Sequence, residues 1–279
     1  MPVERSFTIF QPTVFIFVAL PCEAKPLIQS WSLKKNSEHK PFSIYENQDF
    51  VVVVSGVGKL AMAAAVAYTM CLYANKADPI LINFGIAGHS YYPLGNLYLA
   101  DKVSDIEAGK NYYPQLTFVG NIPTSPVITL NKPSIDYDAG SLFDMEAAGF
   151  YEIATKFSSN EFIHSLKIIS DNSVSSIENI NEVIVTDWIA KKVNNIKQLV
   201  NNLLNAREFR PKSNNDLYYQ LIQQVHFSES NAVKLKKLMQ KWQTVMGNSE
   251  LKWTDSGASS GKELIAWIEE QLEQKAFEL

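Results

Sequence analysis

Four short apolar segments in the first 170 residues have the length and composition of buried β-strands. They cover residues 14–19, 51–54, 80–84 and 162–169, and nearly every position in them is apolar, with many β-branched or aromatic side chains. Runs of this kind are typical of strands that are covered on both faces. Because helical stretches lie between them, the sequence predicts an α/β domain rather than separate groups of strands and helices.

The predicted helices fall into two groups. Helices over 59–74, 145–157 and 182–206 belong with the strands, and the last of these carries one long apolar stripe. The stretch 205–215 is charged and contains a proline, as is typical of a boundary linker. Amphipathic helices are then predicted over 216–227, 231–242 and 262–277. We therefore predict a main domain over 1–210 and a helical C-terminal extension over 213–279.

Polar and small residues follow each predicted strand. The four segments are 20–23 (LPCE), 55–58 (SGVG), 85–88 (GIAG) and 170–172 (SDN). In open α/β sheets, ligands bind beyond the carboxyl ends of the strands. The sequence therefore places a candidate binding site where these four segments meet.

Composition and charge limit the possible partners. Lys and Arg number 25 and Asp and Glu 29, so that the formal charge is -4 and no extended basic surface attracts nucleic acid or an anionic membrane. The 2 cysteines and 4 histidines show no metal-ligand spacing, and we predict neither a metal site nor a cofactor. The apolar run 14–20 lacks the flanks of a secretory signal, which favours a buried first strand in a cytoplasmic protein.

The segment 55–59 (SGVGK) resembles a phosphate-binding loop but fails its requirements. Val53 stands where the first glycine of a Walker loop belongs, and Leu60 stands in place of the serine or threonine. No dinucleotide-binding glycine pattern follows any strand either. The segment is interpreted as a tight turn at which the backbone comes close to a ligand or to a neighbouring helix.

Three groups of acidic residues could take part in chemistry, and each also has a structural interpretation. Asp144 and Glu146 stand where a helix is predicted to start, where acids commonly interact with the helix dipole. Asp171 ends a strand, where an acid can cap the following turn. Glu23 follows the first strand, and taken alone it would be a surface residue.

Five segments, in their order along the chain, resemble the superfamily of nucleoside phosphorylases and 5'-methylthioadenosine/S-adenosylhomocysteine nucleosidases. The resemblance spans about residues 13 to 205. It is carried by 19–27, 54–60 (VSGVGKL), 82–88 (INFGIAG), 144–148 (DMEAA) and 167–171 (KIISD). It implies one three-layer α/β domain around a twisted central mixed β-sheet. Residues 213–279 lie outside the resemblance.

The resemblance also implies roles for individual residues. Asp171 would be the general acid that protonates the purine at N7, and Glu23 would orient or deprotonate the attacking water. Glu146 would accept hydrogen bonds from the ribose hydroxyls. Val127 and Ile128 are expected to form the flap over the purine. The other substrate contacts implied by the resemblance are Ile86, Ala87, Gly88, Phe143, Met145 and Ser170.

Arginine content separates hydrolysis from phosphorolysis. No arginine occurs between residues 6 and 206, whereas phosphorylases bind phosphate with guanidinium groups. Asn83 and Ile86 stand where the phosphorylases place an arginine and a serine. We therefore expect a purine nucleosidase that hydrolyses an adenosine-type nucleoside, such as methylthioadenosine or S-adenosylhomocysteine, and the resemblance implies a homodimer.

Two alternatives stay open. One is a phosphorylase in which lysines such as Lys25 or Lys59, or a neighbouring subunit, supply the positive charge. The other is a non-catalytic nucleoside-binding or regulatory protein that acts through its helical extension. Three departures from the family pattern bear on the orientation of the acid, on the identity of the substrate and on whether activity is retained. Lys167 replaces an arginine, Ile86 replaces a small polar residue, and the stretch 101–144 is shorter than in the family.

Overall fold

The computed structural model describes residues 12–38, 41–73, 78–133, 140–176, 178, 180–209, 214–246 and 251–276. The chain divides into two compact units, Met1–Arg207 and Glu208–Leu279, and each unit is considered separately. The candidate chemistry identified in the sequence lies in the first unit.

One mixed β-sheet forms the centre of the first unit. Within the described residues its strands are β1 (Val14–Val18), β2 (Lys34–Asn36), β3 (Ser43–Glu46), β4 (Phe50–Val54), β5 (Ile80–Gly88), β6 (Leu97–Asp105), β7 (Lys110–Tyr112), β8 (Thr124–Thr129), β9 (Leu142–Asp144) and β10 (Ile163–Asp171). The pairings β4–β1–β5–β10 are parallel and carry the apolar segments seen in the sequence. The strands β3 and β2 extend the β4 edge in antiparallel pairing.

The other half of the sheet closes on itself. The strand β10 pairs with β5 and β6, β6 pairs with β8, β8 pairs with β9, and β9 returns to β5 through the pair Gly88 and Phe143. A sheet that closes in this way has no free edge along the closed part. The ring places β9 and the end of β10 next to Gly88 at the carboxyl end of β5.

Helices cover both faces of the sheet, as the apolar strands require. On one face α1 (Pro21–Ser30) and α4 (Glu182–Phe209) pack on the even-numbered side chains of β1, such as Ile16 and Val18. On the other face α2 (Lys59–Leu72) and α3 (Ala147–Ala154) pack on Phe15 and Phe17. The alternation follows from the two-residue period of a strand, and the expected three layers are confirmed.

Two boundaries differ from the sequence-based expectation in a way that matters for the site. The segments 85–88 and 170–171, which were predicted to be loops, continue β5 and β10 as paired strands up to Gly88 and Asp171. The helix predicted from residue 145 begins at Ala147, because the preceding residues form the short strand β9. Strand pairing across the closed ring, which no local pattern reveals, accounts for both differences.

The second unit has its own apolar core. It contains α5 (Asn214–Gln224), α6 (Glu229–Met246) and α7 (Gly261–Ala276), so that helix rather than linker extends through the described residues 205–209 to the end of α4. Leu221, Leu235 and Leu264 are among its fully buried side chains. The described buried residues of this unit are all apolar.

The described part of the chain contains neither a membrane-spanning helix nor a metal-binding cluster. No described helix is both long enough and apolar enough to cross a membrane. No group of three or more His, Cys, Asp or Glu residues within the described ranges could hold a metal ion.

Candidate active site

The site lies at a gap in the pairing along one edge of β5. The strand β1 pairs with β5 as far as Asn83, and β9 pairs with it again at Gly88. Between them, the backbone N–H of Ile86 donates to Glu23 Oε1 at 3.0 Å. A carboxylate from α1 therefore occupies the place of a neighbouring strand.

Glu23 is held by the backbone on both of its carboxylate oxygens. Oε2 accepts the N–H groups of Ala19 at 2.9 Å and Leu20 at 2.8 Å, and the side chain is almost completely buried. Burial raises the pKa of Glu23 above its ordinary value, although the N–H donors and the charge of Lys167 oppose the shift. Gly85 leaves room for this carboxylate, because a Cβ there would lie 2.9 Å from Glu23 Oε1.

Glu146 occupies the residue before α3 and reaches the turn before α2. Its Oε1 accepts the backbone N–H of Gly58 at 2.7 Å, and the residue is buried. Burial, followed by the nearby charge of Asp144, raises the pKa of Glu146 to about 7. Lys167 and the Gly58 N–H act in the opposite direction. The sequence placed this acid at a helix start, and the structure turns its carboxylate towards a different helix.

The contacts of Asp144 are those of a structural acid at the start of a helix. Its Oδ2 accepts the N–H of Ala147 at 2.8 Å at the start of α3, and its Oδ1 accepts the Thr129 hydroxyl at 2.6 Å. Lys167 Nζ lies 2.7 Å from Oδ2, and both side chains are inaccessible to solvent. We call Lys167, Asp144, Glu146 and Glu23 the inner charge cluster, in which one buried ammonium faces three carboxyl groups.

Asp171 ends β10 at an irregularity in its pairing with β5. It is buried, and its Oδ1 accepts the hydroxyl of Ser170. Its carbonyl oxygen accepts the N–H of His89 at 3.0 Å, which fixes the backbone of this residue next to the end of β5.

These elements enclose one pocket of about 630 Å³, counting the part that opens to solvent. The lining residues are Ala19, Leu20, Glu23, Val57, Ile86, Ala87, Gly88, Leu130, Lys132, Pro133, Phe143, Asp144, Met145, Glu146, Ser170 and Asp171. Acids from α1, from the residue before α3 and from β10 therefore face the same space.

Solved structures were found with the same arrangement of elements. Futalosine hydrolase of Helicobacter pylori superposes with a TM-score of 0.56 at 14% identity, over 69% of this chain and 98% of that one. The 5'-methylthioadenosine nucleosidase of Arabidopsis thaliana in its apo form gives 0.57 at 17% identity, over 69% and 96%. The 5'-methylthioadenosine/S-adenosylhomocysteine nucleosidase of S. pneumoniae with the transition-state inhibitor MT-ImmA gives 0.52 at 19%, over 68% and 97%. This chain has the nucleoside phosphorylase/nucleosidase fold.

The resemblance inferred from the sequence is therefore confirmed at the level of the fold. No protein-family model and no curated protein matches the chain by sequence. At identities of 12–19% the nucleosidase fold does not by itself transfer residue roles or a substrate. Those must be argued from the pocket itself.

Most of the residues that the sequence marked as a site line this pocket of the nucleosidase fold. They are Glu23, Ile86, Ala87, Gly88, Phe143, Met145, Glu146, Ser170 and Asp171. Segments that are far apart in sequence meet because β1, β5 and β10 are neighbours in the sheet, with Glu23 reaching the edge of β5.

The two residues expected to cover the purine are not in the pocket. Val127 is fully buried in the core between the sheet, α2 and α3, and Ile128 lines a separate cleft with Lys102 and Ser104. The pairing of β8 with β6 and β9 keeps both residues within the sheet. The chain reaches the pocket only after β8 has ended, at Leu130, Lys132 and Pro133. Local sequence gave no signal for these three residues.

Proposed function

We propose that this protein is a purine nucleosidase that cleaves the N-glycosidic bond of an adenosine-type nucleoside with water. The observation that carries the proposal is the convergence of Glu23, Glu146 and Asp171 in one pocket, from three elements that are far apart in the sequence. The solved structures with this fold, which include nucleosidases and futalosine hydrolase, support a nucleosidase-type hydrolase. Methylthioadenosine and S-adenosylhomocysteine are the substrates we propose to test first.

In the proposed reaction, water attacks the anomeric carbon of the sugar while the bond to the purine nitrogen breaks. Asp171 gives a proton to N7 of the purine, because the base leaves more easily as a neutral molecule. Glu23 accepts the proton of the water, and its raised pKa makes it a stronger base than an exposed glutamate. The products are the free base and the free sugar; Glu23 releases the proton of the water to solvent, and solvent returns a proton to Asp171.

Glu146 is proposed to bind the ribose. A carboxylate accepts hydrogen bonds and donates none when ionised, so that it suits sugar hydroxyl groups. Phe143 and Met145, which also line the pocket, supply apolar surface beside it. We further propose a homodimer, following the resemblance to the family.

Hydrolysis is favoured over phosphorolysis by the charges around the pocket. Asp144 and the three proposed site acids face it, and no arginine is among its described lining residues. Phosphate would meet this excess of carboxylates without a guanidinium group to bind it bidentately. A phosphorylase is the second candidate, because Lys132 lines the pocket and supplies a positive charge there.

The test measures release of the free base from methylthioadenosine, S-adenosylhomocysteine, adenosine and inosine, each with and without phosphate. We expect release without phosphate, with the free sugar as the second product. A strict requirement for phosphate and a sugar 1-phosphate product would establish the phosphorylase instead. Absence of cleavage, together with nucleoside binding, would favour the non-catalytic alternative.

The role of Asp171 is tested by the substitution Asp171→Asn. We expect kcat to fall by about 10²–10⁴-fold, because the amide cannot supply the proton, while nucleoside binding is largely retained. Asp187→Asn is the matched control, since Asp187 is exposed and pairs with Lys191 on the surface of α4. Unchanged turnover in Asp171→Asn would remove the proposed role.

A further inference from the structure

The turn between β4 and α2 contacts the site through a backbone N–H group. This turn is the SGVGK segment that failed the phosphate-loop requirements, and two of its glycines have positive φ angles, 84° at Gly56 and 103° at Gly58. Side chains rarely tolerate such angles. The N–H of Gly56 donates to the carbonyl of Ala19, whereas the N–H of Gly58 donates to Glu146 Oε1.

The two ends of this contact are fixed independently. On one side, Ser55 and Gly56 are hydrogen-bonded to the carbonyl groups of Val18 and Ala19 at the end of β1. On the other side, the backbone of Glu146 is held at the start of α3, where Asp144 accepts its N–H at 3.3 Å. Neither end can move far without breaking a contact to the sheet.

The starts of α2 and α3 are also in direct contact. A Cβ placed on Gly149 would lie 2.2 Å from the carbonyl oxygen of Lys59, the first residue of α2. Only a glycine permits the two helices to approach this closely. The close approach sets the distance between Gly58 and Glu146, since each is a near neighbour of a contact residue.

The two carboxylate oxygens of Glu146 differ in their hydrogen bonds. Oε1 accepts the Gly58 N–H, while Oε2 accepts no hydrogen bond from the described residues, and the side chain lines the pocket. A carboxylate oxygen can accept two hydrogen bonds, so that Oε2 is available to hydroxyl groups of a ligand. Asp144 and Glu23 repel this charge, and Lys167 attracts it.

We propose that the backbone N–H of Gly58 is the positioning group that orients the Glu146 carboxylate for hydroxyl-bearing ligands. The proposal rests on the proposed function only for the identity of the ligand, a ribonucleoside. The turn thereby controls selection between ribose and 2'-deoxyribose, although it contributes no side chain of its own to that step. A site built to bind a hydroxyl group discriminates against an analogue that lacks it.

The first experiment compares Gly58→Ala with Gly109→Ala, a control in the exposed turn between β6 and β7. Both glycines have a positive φ, and an added Cβ meets nothing within 4 Å at either position, so that the backbone is what must move. We expect Gly58→Ala to raise KM for the ribonucleoside about tenfold, in line with loss of a charged hydrogen bond, and to leave KM for the 2'-deoxy analogue unchanged. Gly109→Ala should leave the ratio of the two KM values at its wild-type value.

The second experiment needs no enzymatic activity. Carbon-13 NMR of labelled glutamate follows the titration of Glu146, whose pKa should rise in Gly58→Ala and stay unchanged in Gly109→Ala, since the Gly58 N–H donates to this carboxylate whereas the Gly109 N–H donates to the carbonyl of Ile106. If the wild type cleaves no nucleoside, the proposed function fails while this titration still tests the positioning contact. An equal shift in both variants, or no shift in either, would overturn the proposal.

A third measurement keeps the turn sequence intact, in case Gly58→Ala does not fold. In Glu146→Ala, amide hydrogen exchange at Gly58 should become at least tenfold faster, because its acceptor is gone. Exchange at Gly56, whose acceptor is the Ala19 carbonyl, should not change. Unchanged exchange at Gly58 would show that the contact does not hold in solution, and the proposal would be rejected.

Discussion

Two lysine-centred charge clusters on the same domain differ in what they do to their acids. In the inner charge cluster, Lys167 faces Asp144, Glu146 and Glu23 in a buried environment, and the pKa values of both glutamates are raised. In the outer charge cluster, Lys59 Nζ lies 2.9 Å from both Asp105 and Glu107 near the surface. Burial opposes ionisation of Asp105, but Lys59 and the Ala108 N–H outweigh it and lower its pKa.

The two clusters differ in how their acids affect the stability of the fold. The outer charge cluster has the geometry of an ordinary stabilising ion pair. The inner charge cluster buries more negative than positive charge, which folding alone does not favour. Acids with raised pKa values in a pocket are typical of functional sites. We therefore propose a chemical use for Glu23 and Glu146 of the inner charge cluster and a structural use for the acids of the outer charge cluster.

The largest expected effect comes from removing the buried ammonium. Lys167→Met should destabilise the domain by about 3–5 kcal/mol, because Asp144 is then buried without its counter-charge. Lys59→Met is the matched control, and we expect about 1 kcal/mol or less from its partly exposed pairs. Urea unfolding of both variants at neutral pH measures the difference, and adding Asp144→Asn to Lys167→Met should restore part of the stability. Equal losses in the two single variants would contradict the distinction between the clusters.

A smaller effect is expected from Glu146→Gln, and its sign depends on pH. The pKa of Glu146 is raised from 4.5 to about 7, so the folded state binds a proton more tightly than the unfolded state. The contribution of protonated Glu146 to the free energy of unfolding is therefore fully present below about pH 4.5 and is lost as the pH rises through about 7. Relative to wild type, Glu146→Gln should gain roughly 1–3 kcal/mol between pH 5 and pH 8.5.

This prediction is checked by urea unfolding at the two pH values. The control is Glu152→Gln. Lys110 and the Tyr112 hydroxyl lower the pKa of this partly exposed glutamate, so that its substitution should not show the same dependence on pH. If the difference in unfolding free energy between wild type and Glu146→Gln does not change with pH, ionisation of Glu146 does not destabilise the folded state.

The smallest effect is expected in the outer charge cluster. Asp105→Asn should cost about 1 kcal/mol at pH 7. Because the pKa of Asp105 is lowered, this contribution is present above the ordinary pKa of 3.8 and disappears as the pH falls below it. Thermal unfolding at pH 7 and pH 3 measures the change, and base release should stay at its wild-type rate. A loss of activity would place Asp105 in the site after all.

The buried strands and the candidate acids were predictable because their signals are local. An apolar run such as 80–84 has to be buried wherever it lies, and Glu23 and Asp171 stand next to such runs. Val127 and Ile128 were misplaced because their distance from the pocket depends on the pairing of β8 with β6 and β9. Pairing partners that are distant in sequence leave no mark on a short segment.

The sequence by itself determined the layers of the main domain, the absence of arginine from residues 6–206 and the presence of acids at the strand ends. Only the tertiary structure decided which groups each acid contacts. Asp144 and Glu146 are two residues apart and both line the pocket, yet Asp144 pairs with Lys167 whereas Glu146 accepts the Gly58 N–H. The physical reason is that the charge state and direction of a carboxyl group depend on burial and on donors brought from elsewhere in the chain.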